Sequence, residues 1–241
     1  MLRVWSVRTC EYAEAAPRFF GQLSARERQR AEAFHFEQDR IAYVVSHCAL
    51  RQILANTLGV DGFGHEYEIG PHGKPLLPRQ FAVSGLEFSL SHTEGFALIA
   101  VSRVGSVGID VERVVDSGDL HELAASVFTE QEYRGLAKLD AVAAQHGFFR
   151  LWVRKEAYAK ACGIGLAEGL KVPALDVVAL DDATGGQVRH VGGKAWWEWP
   201  ISVPAGYCAA LYQRVDDVAS VAHVVPEICD WHPQPMDRFH N

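Results

Sequence analysis

Three carboxylates and two lysines, gathered in two short segments, hold the chemistry that this 241-residue chain could perform. In Val107-Gly108-Ile109-Asp110-Val111-Glu112 the side chains alternate as on a strand. Val107, Ile109 and Val111 take one face, and Gly108, Asp110 and Glu112 take the other. Two carboxylates at i and i+2, beside a glycine that leaves room for an incoming group, make a seat for a hard cation. The second segment, Trp152-Val153-Arg154-Lys155-Glu156-Ala157-Tyr158-Ala159-Lys160, reads as helix and adds Glu156 between Lys155 and Lys160. Carboxylates with lysines point to magnesium and a phosphate-bearing substrate, because magnesium commonly bridges one or two carboxylates to phosphate oxygens. Each segment alone also has a plainer reading. Asp110 and Glu112 could line a solvated sheet face, and Glu156 with Lys160 is an ordinary i, i+4 pair of about 0.2–0.5 kcal/mol. Lys155 and Lys160, five positions apart, cannot share one helix face.

The elements that must position these groups are legible around them. Residues 22–58 read mainly as helix, opened by a Ser24/Glu27 capping box and stopped by Gly59. A turn-rich loop over residues 70–75 carries Gly73-Lys74-Pro75. Phe88 to His92 and Phe96 to Val101 read as a hairpin that leads into the Asp110 strand. Helices follow over residues 120–127, 130–139 and 145–161, the last stopped at Gly163, and then strands at Val177–Leu180, Ala195–Trp199 and Tyr207–Tyr212. Trp196, Trp197 and Trp199 are expected to pack on both faces of their strand. Gly95-Phe96-Ala97-Leu98-Ile99-Ala100 and Gly206-Tyr207-Cys208-Ala209-Ala210-Leu211 are alike, each closing a half of the chain.

Composition narrows the class. Hydrophobic content of 49% and charged content of 22% suit a soluble globular protein. No run approaches the ~18–20 apolar residues of a membrane span. The first residues resemble a strand rather than a signal peptide. Five scattered cysteines, none in a Cys-x-x-Cys pair, suit reduced thiols in a cytoplasm. A net charge of −7 argues against a nucleic-acid partner.

Taken together and in this order, the two segments resemble the signature of the 4'-phosphopantetheinyl transferases, in particular the longer, surfactin-synthetase-activating type. That family's pattern is an apolar-Gly-apolar-Asp-apolar-Glu strand followed by a Trp-x-x-Lys-Glu-small-x-x-Lys helix. Val107 to Glu112 and Trp152 to Lys160 match it without a gap. Leu23 to Arg28 with Arg30, Phe34 and Arg40, the Gly73-Lys74-Pro75 turn, Phe88 to Thr93 and Phe128-Thr129-Glu130-Gln131-Glu132 are similar to further family stretches. The resemblance implies an α+β fold of two similar halves related by a pseudo-twofold axis, with coenzyme A in the cleft between them. The halves are placed at residues 1–104 and 105–215, with 216–241 as an irregular tail. It implies transfer of the phosphopantetheine arm of coenzyme A to a serine of an acyl or peptidyl carrier protein, magnesium-dependent, in a monomer.

Residue by residue, the resemblance implies Asp110, Glu112 and Glu156 as metal ligands, with Glu156 a ligand, a general base or both. Glu156 and Lys160 are then the catalytic pair. Arg30, Lys74, Ser91, His92, Lys155 and Lys160 hold the coenzyme. Two positions depart from the pattern: Glu27 and Ala42 stand where relatives carry basic residues toward the 3'-phosphate, so a clamp built from Arg26, Arg40 or Arg51 is expected. Net negative charge opposes docking of an acidic carrier, leaving a local basic patch or apolar contact to steer it. The competing reading is a catalytically idle relative that binds carrier proteins or nucleotide.

Overall fold

Two 22-residue helices organise the chain, each lying on a four-stranded sheet. The computed structural model describes residues 1–115, 118, 120–172, 186–191, 193–215 and 225–234. In chain order the regular elements are β1 (Leu2–Val7), α1 (Ala16–Phe20), α2 (Ala25–Glu32), α3 (Glu37–Leu58), β2 (Glu68–Ile69), β3 (Pro75–Leu76), β4 (Glu87–Thr93), β5 (Phe96–Ser102) and β6 (Val107–Arg113). There follow α4 (Leu120–Val127), α5 (Glu130–Leu136), α6 (Ala141–Cys162), α7 (Leu166–Gly169), β7 (Gln187–Val191), β8 (Lys194–Pro200), β9 (Tyr207–Val215) and β10 (Glu227–Asp230). The expected strand at Val177–Leu180 lies outside the described residues.

The two halves repeat one construction. A short helix opens with a capping box, Ser24 with Glu27 for α2 and Thr129 with Glu132 for α5. The long helix that follows ends at a left-handed glycine, Gly59 (φ 72°) for α3 and Gly163 (φ 69°) for α6. In each half the capping-box glutamate is buried and holds a cation from the long helix: Arg51 at 2.7 Å from Glu27, Lys155 at 3.0 Å from Glu132. Arg51 and Lys155 each stand eight residues before their terminating glycine. This α+β architecture of two similar halves is the expected fold class. Helix α6 begins at Ala141, four residues earlier than the pattern suggests, because the Asp140 side chain accepts from the Ala143 N–H at 2.9 Å and caps it.

The first sheet runs β10-β1-β5-β4 and the second β6-β9-β8-β7. One face of the first packs on α3 through Phe88, Ala97, Ile99 and Val101. Its other face meets the second sheet, where Val4, Leu98 and Ala100 join Val107, Ile109, Val111 and Leu211 in one core. The far face of the second sheet carries α6, packed through Ala157, Tyr158, Trp196 and Tyr212. The tryptophans of β8 divide as expected: Trp196 meets Tyr158 on the helix side, while Trp197 and Trp199 stack at 5.1 Å on the other. The tail, expected to be irregular, instead supplies β10, which pairs in parallel with β1, and Trp231, which is buried in the first half against Tyr12 and Phe19. A four-residue edge strand has too little periodicity to announce itself; its partner sets its register.

Between the halves, the edges β4 and β6 are joined by side chains. The Ile109 N–H donates to Ser89 Oγ at 3.1 Å, and Lys74 Nζ donates to the Val107 carbonyl at 3.3 Å. Arg113 pairs with Glu94, and the Tyr207 hydroxyl donates to the Glu94 carbonyl at 2.8 Å.

Candidate active site

Strand β6 alternates as its sequence demands. Val107, Ile109 and Val111 are fully buried between the sheets, while Gly108, Asp110 and Glu112 face α6. The role of Gly108 differs from the expectation of room for an incoming group. A Cβ on it would lie 2.0 Å from the Ala157 carbonyl oxygen and 2.3 Å from the Ala161 nitrogen. That absent side chain is what lets α6 lie against the strand, and so brings Glu156 and Lys160 to the carboxylates of β6.

Asp110 is 2% exposed. Its Oδ1 accepts from Lys160 Nζ at 2.6 Å and from the Ser91 hydroxyl at 2.7 Å, and Lys160 Nζ reaches Ser91 Oγ at 3.1 Å. Its Oδ2 is buried with no hydrogen-bond partner. Burial raises the Glu112 carboxyl to about 7, with the charges of Asp110 and Glu156 adding to the effect and Lys160 and the Trp152 indole opposing it. Burial and Asp110 also raise Glu156, again against Lys160. Burial works against charge on Lys160, yet Asp110, Glu156 and Glu112 together hold its ammonium above the ordinary lysine range. Three carboxylates thus crowd around one ammonium, an excess of negative charge that a cation would relieve.

Among the described residues no three His, Cys, Asp or Glu side chains form a ready-made cage. The unpartnered Asp110 Oδ2 and the crowded glutamates fit a hard ion that keeps several of its own waters, as magnesium does.

A cleft of about 280 Å³ opens beside this group, lined by Lys74, Leu90, Glu156, Lys160, Gly163 and Leu166 among others. A larger cavity, about 630 Å³, lies against Trp5, Arg103 and Trp231 and has none of these carboxylates in its lining. Lys74 reaches the small cleft from a turn in which His72 and Gly73 have φ of 60° and 84°. Burial pushes its pKa down, with Glu87 and Cys162 opposing.

Along β4, Ser91 turns toward Asp110, while the next residue, His92, turns toward α3. There its ring stands 6.1 Å from Tyr43 and 6.4 Å from His47, both edge-on. Burial, His47 and Lys160 push His92 down to about 4. Arg30 is exposed on α2, 5.7 Å over the Phe34 ring, which in turn contacts Tyr43 at 5.3 Å.

The structure therefore brings together Asp110, Glu112, Glu156, Lys160 and Ser91, with Lys74 across the cleft and His92 and Arg30 on a separate flank. It does not bring Lys155. That side chain is completely buried, and its three donors meet Glu132 Oε2 at 3.0 Å and the carbonyls of Leu170 at 2.9 Å and Val172 at 3.3 Å. The expectation of a phosphate contact at Lys155 is corrected: its ammonium ties α6 to α5 and to the chain after α7. The alternative clamp is corrected as well. Arg51 is 3% exposed, held by Glu27 and by the carbonyls of Phe63 and His65, and Arg40 is paired with Glu37 on its own helix. Three participants escaped the sequence reading: Ser89, which bonds β6; Trp152, which donates to Glu112; and His47. The tryptophan was visible as a motif position, whereas the other two carried no spacing signal.

Two family models match the chain side by side. One, described as the 4'-phosphopantetheinyl transferase superfamily, covers residues 106–212, and the other, described as 4'-phosphopantetheinyl transferase, N-terminal, covers residues 4–104. Relatives agree. The 4'-phosphopantetheinyl transferase HetI of Nostoc sp. is 40% identical over 146 residues, which span 61% of this chain and 62% of that protein. A 4'-phosphopantetheinyl transferase of Bacillus subtilis is 27% identical over 222 residues, 91% of this chain and 87% of the relative. The 4'-phosphopantetheinyl transferase Sfp of Bacillus subtilis strain 168 is 24% identical over 154 residues, 64% and 66% of the two chains.

Proposed function

This chain belongs to the 4'-phosphopantetheinyl transferase superfamily, and on that footing we propose that it transfers the 4'-phosphopantetheine arm of coenzyme A to a serine hydroxyl of an apo carrier protein. The serine oxygen attacks the β-phosphorus of the coenzyme, the bond from that phosphorus to the bridging oxygen breaks, and 3',5'-ADP leaves. The observation that carries the reading is the buried Asp110, with one oxygen engaged by Lys160 and Ser91 and the other unpartnered, beside Glu112 and Glu156 at the mouth of a cleft between the halves.

Asp110, Glu112 and Glu156 would hold a magnesium ion, which when bound neutralises charge on the diphosphate. Lys160 adds a point charge to the same diphosphate and pairs with Asp110 Oδ1 at 2.6 Å. Ser91 orients Asp110 through its hydroxyl. Glu156 takes the proton of the attacking serine, which requires that hydroxyl to come within hydrogen-bond reach. Lys74 lines the cleft and would hold the nucleotide, while His92 and Arg30, on the separate flank, would take the 3'-phosphate by the family resemblance. The halves in this reading are residues 1–104 and 105–215, acting as a monomer. No helix among the described residues is long and apolar enough to cross a membrane.

The test is incubation of apo carrier proteins from fatty-acid, polyketide and peptide synthesis with coenzyme A and magnesium. A mass gain of one phosphopantetheine arm that disappears with Asp110→Ala supports the reading. Absence of any gain across all three carrier types refutes it and leaves a carrier- or nucleotide-binding module.

A further inference from the structure

The cavity of about 630 Å³ in the first half takes no part in the proposed transfer. Its floor is the α3 side of the first sheet. Along β1, Leu2 and Val4 face the second sheet, so Trp5 and Val7 face α3. Val7 is buried in the core there, whereas from Trp5 toward Arg3 the layer opens into the cavity. The last turns of α3 form the roof with Ile53, Asn56 and Thr57. The outer wall is the tail segment 230–234, and it is firmly anchored. Trp231 is 5% exposed and donates its N–H to the Ser6 carbonyl at 2.9 Å. The Gln234 N–H donates to Oε1 of the buried Gln52 at 3.3 Å. A space of this size falls within the range of small-molecule sites, about 300–1,000 Å³.

Charge is distributed unevenly along this cavity. The Arg103 N–H donates to the Met1 carbonyl at 3.0 Å, which puts Arg103 at one end of β1. Asp230 pairs with Ser6, five residues further on, roughly 17 Å away at about 3.4 Å per residue, and accepts from its hydroxyl. Arg3, near the first end, is answered by Glu227 at 2.7 Å. Arg103 meets no carboxylate among the described residues. Its guanidinium donates to the carbonyls of Ser84 at 3.0 Å and Thr57 at 2.9 Å. Those two bonds fix its plane and leave further N–H donors of the five for a ligand. The carbonyl end of α3, which would otherwise repel an anion, is capped: the Gly59 and Val60 N–H groups take the carbonyls of Asn56 and Ala55. Between the charged ends the lining is aromatic. Trp5 and Trp231 both border the cavity, and among the described residues their indoles make no ring contact with each other.

We propose that this cavity is a second ligand site, which binds a small aromatic carboxylate with its acid group on Arg103 and its ring system against Ile53 and the two indoles. A carboxylate matches the fork of a guanidinium, and a flat apolar body matches indole faces. The site lies apart from the cleft that holds Lys74, Glu156 and Lys160, and it shares no lining residue with that cleft. It stands whether or not the chain transfers phosphopantetheine.

The experiment titrates the full chain with 1-naphthoate, the neutral 1-naphthylmethanol and the aliphatic octanoate, followed by calorimetry and tryptophan fluorescence. The wild type is expected to bind one equivalent of naphthoate with a Kd of about 1 mM or tighter. The alcohol should bind roughly tenfold more weakly, and so should octanoate. Arg103→Gln should weaken naphthoate roughly tenfold and leave the alcohol unchanged, and Arg103→Lys should recover part of the loss. Asn56→Trp, at an exposed position of α3, fills the cavity from its rim and should abolish binding of both aromatic probes while the fold persists. Saturation with coenzyme A should leave the naphthoate titration unchanged. No binding to the wild type would overturn the proposal, as would equal affinity for acid and alcohol or for naphthoate and octanoate. Equal weakening of both aromatic probes in Arg103→Gln would make Arg103 a structural cap and refute its role. Displacement by coenzyme A would move the ligand to the catalytic cleft and refute the second site.

Discussion

Gly108→Ala puts the architecture of the site to its sharpest test. The added Cβ would meet the Ala157 carbonyl oxygen at 2.0 Å and the Ala161 nitrogen at 2.3 Å, both backbone atoms of α6 that cannot rotate aside. An ordinary carbon contact needs about 3.5 Å, so helix and strand must part by roughly 1 Å or more. Overpacking of a tight core costs about 1–3 kcal/mol. At roughly 2–4 °C of Tm per kcal/mol for a chain of this size, the midpoint should fall by about 2–12 °C. The larger effect is on chemistry, because Glu156 and Lys160 ride on the helix that retreats and Asp110 stays on the strand. A displacement of about 1 Å in such a constellation costs on the order of 100-fold in rate. Differential scanning calorimetry gives the first number, and a mass-spectrometric time course of carrier modification, run well below the Tm of the variant, gives the second. A variant with wild-type Tm and wild-type rate would refute the close approach of α6 to β6 and with it the proposed convergence of ligands.

Three further outcomes are expected. Lys155→Met removes one partner of a completely buried pair and should cost about 3–5 kcal/mol in denaturant unfolding while leaving the coenzyme KM of the folded fraction unchanged; a tenfold rise in KM at unchanged stability would return Lys155 to the phosphate site. Glu27 is ionised more readily in the folded chain, its pKa held down from 4.5 to about 2, so its contribution of about 3 kcal/mol is complete above the unfolded value and drains as pH falls toward 2. Glu27→Gln should accordingly lose about that much at pH 7 and progressively less at pH 3, and a deficit that is the same at both pH values contradicts the assignment. Chelation of divalent ions should abolish transfer and added magnesium restore it; magnesium should raise the Tm of the wild type but not of Asp110→Asn, and a chelator-insensitive rate would remove the ion from the scheme.

Much of the site was legible because it rests on local periodicity. The alternation of Val107 to Glu112 gave the correct faces of β6, and the Ser24/Glu27 capping box and the Gly59 and Gly163 stops gave the helix ends. Lys155 is the instructive failure. Helical spacing alone set it on a different face from Lys160, and the structure agrees with the spacing against the family implication. Its partner Glu132 belongs to the Phe-x-x-x-Glu stretch, where the type of residue was readable but not the partner twenty-three positions away. His47 was invisible for a related reason. Its meaning depends on Glu27, Tyr43 and His92 meeting it from three elements, and no one-dimensional pattern encodes such a meeting.

The parallel pairing of Glu227–Asp230 with β1 has a consequence for biosynthesis. While a ribosome is still translating the second half, the outer edge of β1 presents unpaired amides, and the seat of Trp231 beside Phe19 is vacant. Closure of the earliest-made sheet therefore awaits some of the latest-made residues. A nascent chain stalled after β9 would keep that raw margin exposed to strand-mediated aggregation, even though every carboxylate and lysine of the proposed catalytic group had already been made.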